Sequence, residues 1–273
     1  MGLKTVGSSV AAPAGSFTVA TRPPAARQVE CPLLSVVVPT YNEAGNIKQF
    51  LAALRDGLDS AAGGGYEVIV VDDESPDGTG DVAAGISAGW PNLRVVRRAG
   101  ERGLASAVVR GWQIARGDVL ATINADFQHP PSTVPEMFRR IGNADLVVAT
   151  RYAAEGSVGR FSLHRQFLSA CARYAGVLLV PRVFRRVTDP LSGCYMIRRQ
   201  AIENIELRPA GFKTLIEILA RGRVGNVVEY GYDMERRRSG RSHVRLRDWF
   251  EYLGQLVRIR SELQRRRSSA GNT

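Results

Sequence analysis

The chain has 273 residues, 44% of them hydrophobic, enough to fill a sizeable core in one large domain or two small ones. Its 37 Lys and Arg against 26 Asp and Glu give a net charge of +11, which calls for an anionic partner and leaves phosphates, a membrane surface and nucleic acid open. Cys31, Cys171 and Cys194 share no short spacing, which argues against a disulfide framework or a zinc site and fits a reducing compartment.

Residues 1–32 are rich in Ala, Pro, Ser and Thr, lack a signal-peptide apolar core, and read as a disordered tail. "LLSVVVPTYNEAGNIKQFLAALRDGL" then sets a β-branched run before Pro39, followed by Ile47, Phe50, Leu51, Leu54 and Leu58 at helical spacing. "YEVIVVDDES" repeats the strand and ends in Asp72, Asp73 and Glu74; "SPDGTGDVAAGI" supplies a turn and a helix, and "LRVVRR" a short third strand. A helix over about 103–115 leads into "GDVLATINAD", another apolar run ending in amide and acid. "LVVATRY" reads as a further strand, and "FSLHRQFLSACARYAGVLLV" as a long helix.

From Val227 the chain reads as polar and basic. It ends in "RLRDWFEYLGQLVRIRSELQRRR", a helix with Trp249, Phe250, Leu253, Leu256, Val257 and Leu263 near one face and many arginines. Such a helix fits either an anionic membrane surface or the flank of the domain. No apolar run reaches the roughly 18 residues that a transmembrane helix needs, so membrane contact is expected to be peripheral.

Strands alternating with helices predict an α/β fold with a mostly parallel sheet covered on both faces, ligands sitting outside the carboxyl ends of the strands. Tyr41, Asp73 and Asp126 all fall there. Neither "GxxxxGK[ST]" nor "GxGxxG" follows the first strand, so Walker-type and dinucleotide sites are excluded, and no basic module for nucleic acid is present. On an extended segment residues 124, 126 and 128 point the same way, so Asn124, Asp126 and Gln128 could share one divalent cation, Mg²⁺ or Mn²⁺. His129 is a candidate extra ligand, but beside Pro130 in a turn it reads rather as a surface residue.

"VVVPTYNEAGNI", "VVDDESPDGT", "ERGLASAVVRGWQIARGD", "NADFQHPP", "ATRY" and "DPLSGCYMIRR" occur in that order, and the sequence thereby resembles family 2 glycosyltransferases of the GT-A nucleotide-sugar-binding fold. Within them it looks most like the polyprenyl-phosphate (dolichyl-phosphate) mannose synthases of the catalytic-only type, without transmembrane helices. The resemblance implies a glycosyltransferase domain over 33–247, followed by a basic amphipathic helix and tail over 248–273. It implies inverting transfer of mannose from GDP-mannose to the phosphate of a polyprenyl phosphate. The work would be done on the cytoplasmic face of a membrane, at its surface or beside a membrane-anchored partner subunit.

By the same resemblance, Pro39, Tyr41, Glu43, Val71, Asp73, Asn124, Ala125, Asp126, Arg151, Arg237 and His243 would contact the nucleotide sugar. Arg151, Arg165 and Ser242 would hold the acceptor phosphate, and Asn124, Asp126 and Gln128 the metal. Asp126 and Arg237 carry catalysis in this reading. Three positions depart from the family pattern: Glu74 where Gly is usual, Asn124 for the first Asp of the metal motif, and His243 for a Lys. Two alternatives stay open, a polyprenyl-phosphate glucosyltransferase using UDP-glucose and a non-catalytic relative serving as a binding subunit. Asp189 and Glu217 are reserve candidates; the spacing pairs Glu217 with Lys213.

Overall fold

The computed structural model describes residues 17–19, 33–153, 163–208, 213–235, 237–238 and 246–270. Strands β2 (Leu34–Thr40) and β3 (Tyr66–Asp72) are buried along their whole length, as parallel strands covered on both faces must be. They pair in register from Leu34 against Tyr66 to Thr40 against Asp72. Around them β4 (Leu93–Arg97), β5 (Val119–Thr122), β6 (Leu146–Thr150), β7 (Tyr195–Arg198) and β9 (Val227–Gly231) complete a seven-stranded sheet of order β4-β3-β2-β5-β7-β6-β9.

Alternation along each strand divides the core in two. Val36, Val38, Val68 and Val70 face α1 (Ala44–Ala62), whose Ile47, Phe50, Leu51, Leu54 and Leu58 form the predicted stripe. Helices α2 (Thr79–Ser87) and α4 (Thr133–Arg140) extend that layer, through Ala83 and through Val134 and Met137. Val37, Ile69, Val71 and Leu120 face the other layer, begun by α3 (Leu104–Ile114) with Trp112. A Cβ on Gly111 would sit 2.5 Å from a Val37 methyl, so glycine is what lets α3 lie directly on β2.

Helices α5 (Leu163–Leu179), α6 (Pro181–Phe184), α7 (Thr214–Arg221) and α8 (Leu246–Ala270) complete this second layer. Glu217 of α7 is buried and ties α8 down: it pairs with Arg221 at 2.6 Å and Arg258 at 3.2 Å, and accepts from Gln255 Nε2 at 3.1 Å. Its ion-pair partners therefore lie one turn further on and on α8, whereas the Lys213 ammonium donates to the Leu191 carbonyl.

The parallel expectation holds for β2 to β6 and β9, but β7 runs antiparallel between β5 and β6. The stretch from Val227, read as polar chain, begins with strand β9 beside β6. Phe17–Thr18, placed by composition in a disordered tail, form strand β1 against β8 (Glu206–Leu207), and Val19 is fully buried. The last helix begins at Leu246, two residues ahead of the expected boundary.

Candidate active site

Because β2 and β3 end in register, Tyr41 and Asp73 leave the sheet side by side, and a network of side chains fixes the two loops against each other. Asp72, nearly inaccessible, accepts from Thr40 Oγ1 at 3.0 Å and from the Ser75 N–H at 2.9 Å, closing its own turn. Asp77 accepts from the Ala44 N–H at 2.9 Å and the Thr79 N–H at 3.0 Å, and Glu43 N–H donates to Thr79 Oγ1 at 2.9 Å. Glu74 lies exposed at φ 52°, in the left-handed region that glycine enters at least cost, which explains why a glycine suits that position.

Both oxygens of Asp73 are engaged. Oδ1 accepts from Arg98 Nε at 2.7 Å and Oδ2 from the Gly103 N–H at 2.8 Å. Burial pushes its carboxyl pKa up against the opposing pull of Arg98. Arg98, itself buried, lies one residue past the unremarkable strand β4, and no spacing rule in the sequence marks it as the partner. Pro39 and Val71 are strand residues buried within the sheet, and Tyr41 is half-buried with the Arg102 guanidinium 5.0 Å from its ring centroid.

β5 stops at Thr122, and the chain then turns. Phe127 has φ 62°, and the Gln128 N–H folds back onto Asp126 Oδ1 at 3.0 Å. The extended geometry that would align 124, 126 and 128 by simple alternation is therefore absent; a tight turn at Phe127 sets where Gln128 points. Asp126 is buried, Asn124 and Gln128 are half-buried, and Ala125 is packed into the core. The turn is held from both sides: the Phe127 ring meets Phe50 edge-on at 5.4 Å and carries the Arg238 guanidinium 3.9 Å from its centroid.

Arg237 joins the separate pieces. Its guanidinium lies 2.7 Å from Asp126 Oδ2 and 3.6 Å from Glu43 Oε1, so the ends of β2 and β5 share one cation. The Glu43 carboxyl pKa is raised by burial and by the nearby Asp126, against the Asn46 hydrogen bond and Arg237. Among the described residues no three His, Cys, Asp or Glu side chains converge as a metal cluster. The side-chain oxygens near the end of β5 are the carboxylate of Asp126 and the amides of Asn124 and Gln128, of the hard kind that Mg²⁺ and Mn²⁺ accept.

On the far side, Arg151 at the end of β6 reaches Asp189 at 3.1 Å, Ser169 Oγ of α5 at 3.3 Å and Met234 Sδ at 3.6 Å. Asp189, from the "DPLSG" loop, is thus the partner that a charge at a strand mouth requires. The same loop carries Leu191, whose carbonyl takes the Lys213 ammonium; burial lowers that ammonium to about 8, with Asp189 opposing. His129 is buried, its ring stacked on Tyr232 at 4.8 Å, and desolvation lowers its pKa to about 4, so it is a neutral packing group and not the surface residue expected from the turn. The Arg165 backbone lies in α5 while its side chain, and Ser242 and His243 altogether, lie outside the described residues.

The profile of Glycosyl transferase family 2 matches residues 35–206. A dolichol-phosphate mannosyltransferase of Pyrococcus furiosus is 38% identical over 83% of this chain and 63% of its own length. Its namesake from Saccharomyces cerevisiae is 34% identical over 68% of this chain and 70% of its own. The chain thus spans a little under two thirds of the archaeal relative.

Among solved structures, glucosyl-3-phosphoglycerate synthase of Mycobacterium tuberculosis, with Mn²⁺ and uridine diphosphate, superposes with TM-score 0.59 at 22% identity, over 84% of this chain and 78% of that one. Mannosyl-3-phosphoglycerate synthase of Rubrobacter xylanophilus gives 0.58 at 20%, over 87% and 75%. These two likenesses establish the GT-A fold expected from the sequence.

Proposed function

Starting from the fact that the chain belongs to glycosyl transferase family 2, we propose that it moves mannose from GDP-mannose to a polyprenyl phosphate at the cytoplasmic surface of a membrane. The observation that carries this reading is the meeting of Asp126, Glu43 and Arg237 at the carboxyl ends of β5 and β2, with Arg151 across from them at the end of β6. Such a site offers a cation-binding carboxylate on one side and guanidinium groups for two phosphate-bearing substrates on the other. The 38% identity to a dolichol-phosphate mannosyltransferase supports the choice of sugar and acceptor.

Asp126, with the amide oxygens of Asn124 and Gln128, would hold Mg²⁺ or Mn²⁺. The bound cation would neutralise the charge that grows on the departing diphosphate. Arg237 is placed to move from Asp126 to that diphosphate, and its planar fork suits phosphate oxygens. Tyr41, Glu43 and the Asp73 loop form the wall on which the nucleoside would lie, and His243 would close over the phosphates. Arg151, with Arg165 and Ser242, would orient the acceptor phosphate. That phosphate is already ionised near neutrality, so attack needs positioning and no general base.

The test is transfer of labelled mannose to a short polyprenyl phosphate, with GDP-mannose or UDP-glucose as donor, with Mg²⁺, Mn²⁺ or chelator. We expect metal-dependent product from GDP-mannose and a loss of about 10³-fold in Asp126→Ala, the scale for removing a group that stabilises transition-state charge. Product from UDP-glucose alone would move the sugar. No product from either donor would make the chain a binding subunit.

A further inference from the structure

Asp189, Pro190 and Leu191 form the middle of a loop whose two ends are tied to the sheet. At its start the Thr188 N–H donates to Glu229 Oε1 of β9 at 2.6 Å, and the Thr188 hydroxyl lies 2.7 Å from that of Thr150, the last residue of β6. At its finish Ser192 Oγ donates to the Ala149 carbonyl at 2.7 Å. The middle is met from the opposite side, by the Lys213 ammonium on the Leu191 carbonyl.

Lys213 works from a firm base. It directly precedes α7, its own carbonyl accepts from Gln255 Nε2 of α8 at 3.3 Å, and the next residue, Thr214, shares a hydroxyl–hydroxyl bond with Tyr195 of β7. An ammonium is a costly donor to withdraw from water for one carbonyl, which a neutral amide could satisfy. Burial pulls its pKa down to about 8 while Asp189 opposes the shift, so the charge persists near neutrality. Asp189 thus faces two cations, Lys213 and Arg151. It meets Arg151 along the Nε edge at 3.1 Å, and the Nη groups carry longer contacts, to Ser169 Oγ at 3.3 Å and Met234 Sδ at 3.6 Å. Nitrogens so loosely held can exchange those contacts for phosphate oxygens.

We infer that Lys213 is a positioning residue for the acceptor phosphate: it holds the Asp189–Leu191 loop at the depth where Asp189 engages the Nε edge of Arg151 and leaves the outer nitrogens for the incoming anion. This rests on the acceptor role proposed above for Arg151. The loop leaves past the other half of the site, where a Cβ on Gly193 would lie 3.1 Å from Asn124 Nδ2. The Ser192 tie to Ala149 stands between Leu191 and Gly193, so a slip of the loop's middle spares the donor side.

Lys213→Met keeps the stem of the side chain and removes the donor. In the full chain its KM for a short polyprenyl phosphate should rise about tenfold and its kcat fall less, the scale of a small misplacement at a substrate-orienting group, with the KM for GDP-mannose unchanged. Titration calorimetry with geranyl phosphate should show the same weakening of about tenfold, while binding of GDP with Mn²⁺ stays at the parent value and shows that the variant is folded. Lys213→Gln, which restores a donor for the Leu191 carbonyl, should lose only about threefold. Equal losses of GDP and geranyl phosphate affinity would make Lys213 part of the general packing and overturn the inference. So would geranyl phosphate binding that is absent from the parent or undiminished in Lys213→Met. Failure of the transferase reading looks different: the parent makes no product from either donor, yet binds geranyl phosphate and loses that binding when Lys213 is replaced, which leaves the inference standing.

Discussion

The acidic residues at the ends of β3 and β5 look alike in sequence and are held in opposite ways. At β3, Asp72 and Asp73 are bound by near neighbours on adjacent loops, Ser75, Arg98 and Gly103, with Arg98 as buried as the acid it meets. At β5, Asp126 is held by Arg237, a residue 111 positions away on a later segment whose side chain keeps a fifth of its surface exposed. A buried brace and a more exposed contact thus occupy the ends of the two strands that flank β2. The doublet that reads as the stronger acidic signal does the structural work, and the single carboxylate is the one left able to change partners.

That contrast can be broken at its rigid end first. Asp73→Ala strands Arg98 in the core, and breaking a buried pair from one side costs about 3 kcal/mol or more, read as a fall in the urea midpoint. Pairing it with Arg98→Leu should recover a large part of the loss. At the exchangeable end, Arg237→Gln should lower mannose transfer by about 10²-fold. It should also tighten Mn²⁺ binding without nucleotide by about fivefold, because a pair whose guanidinium keeps about a fifth of its surface exposed, worth on the order of 1 kcal/mol, no longer competes for Asp126. Electron paramagnetic resonance of free Mn²⁺ reads this directly, and weaker binding in the variant would make Arg237 part of the cation site and not its rival.

Asn124→Asp adds a second carboxylate to the proposed metal site. Bare attraction at about 4 Å and a dielectric near 20 is roughly 4 kcal/mol, but a second carboxylate beside Asp126 must be desolvated too, so the expected gain in Mn²⁺ affinity is on the order of tenfold. The smallest effect belongs to Glu74→Gly, which relieves a left-handed backbone and should raise stability by about 0.5–1 kcal/mol in thermal unfolding.

Most of the first half of the fold was legible because each buried strand is a long β-branched run closed by polar residues, and each helix carries a clean apolar stripe. The second half was less so. β7 follows a Gly- and Pro-containing loop and β9 is only half-buried along most of its length, so neither stands out as a strand, and nothing local states that β7 runs backward. β1 is two residues whose order comes from pairing with β8, which sequence patterning does not report. At the site, Asp73, Asp126 and Arg151 were readable as charges at strand mouths. Arg98 was not, since an arginine just past a strand looks like any surface cation. The alternation argument for Gln128 failed at one backbone angle, that of Phe127, and His129 is buried by Tyr232, which lies a hundred residues downstream in the chain.

The reversed strand has a consequence for how the site is built. Because Tyr195, the first residue of β7, pairs with Thr122, the last of β5, the residues that lead into β7 stand where the residues that leave β5 and β6 also stand. A parallel strand in that slot would send those residues to the opposite edge of the sheet. The antiparallel one delivers Asp189 and Leu191 from α6 by a short, inbound loop. Three chain directions therefore close on one point, and the wall facing Arg151 is pinned at both ends, by the sheet behind it and by α7 through Lys213. Insertions that lengthen this loop would be felt as a shift of Asp189 against Arg151 before they are felt as loss of fold.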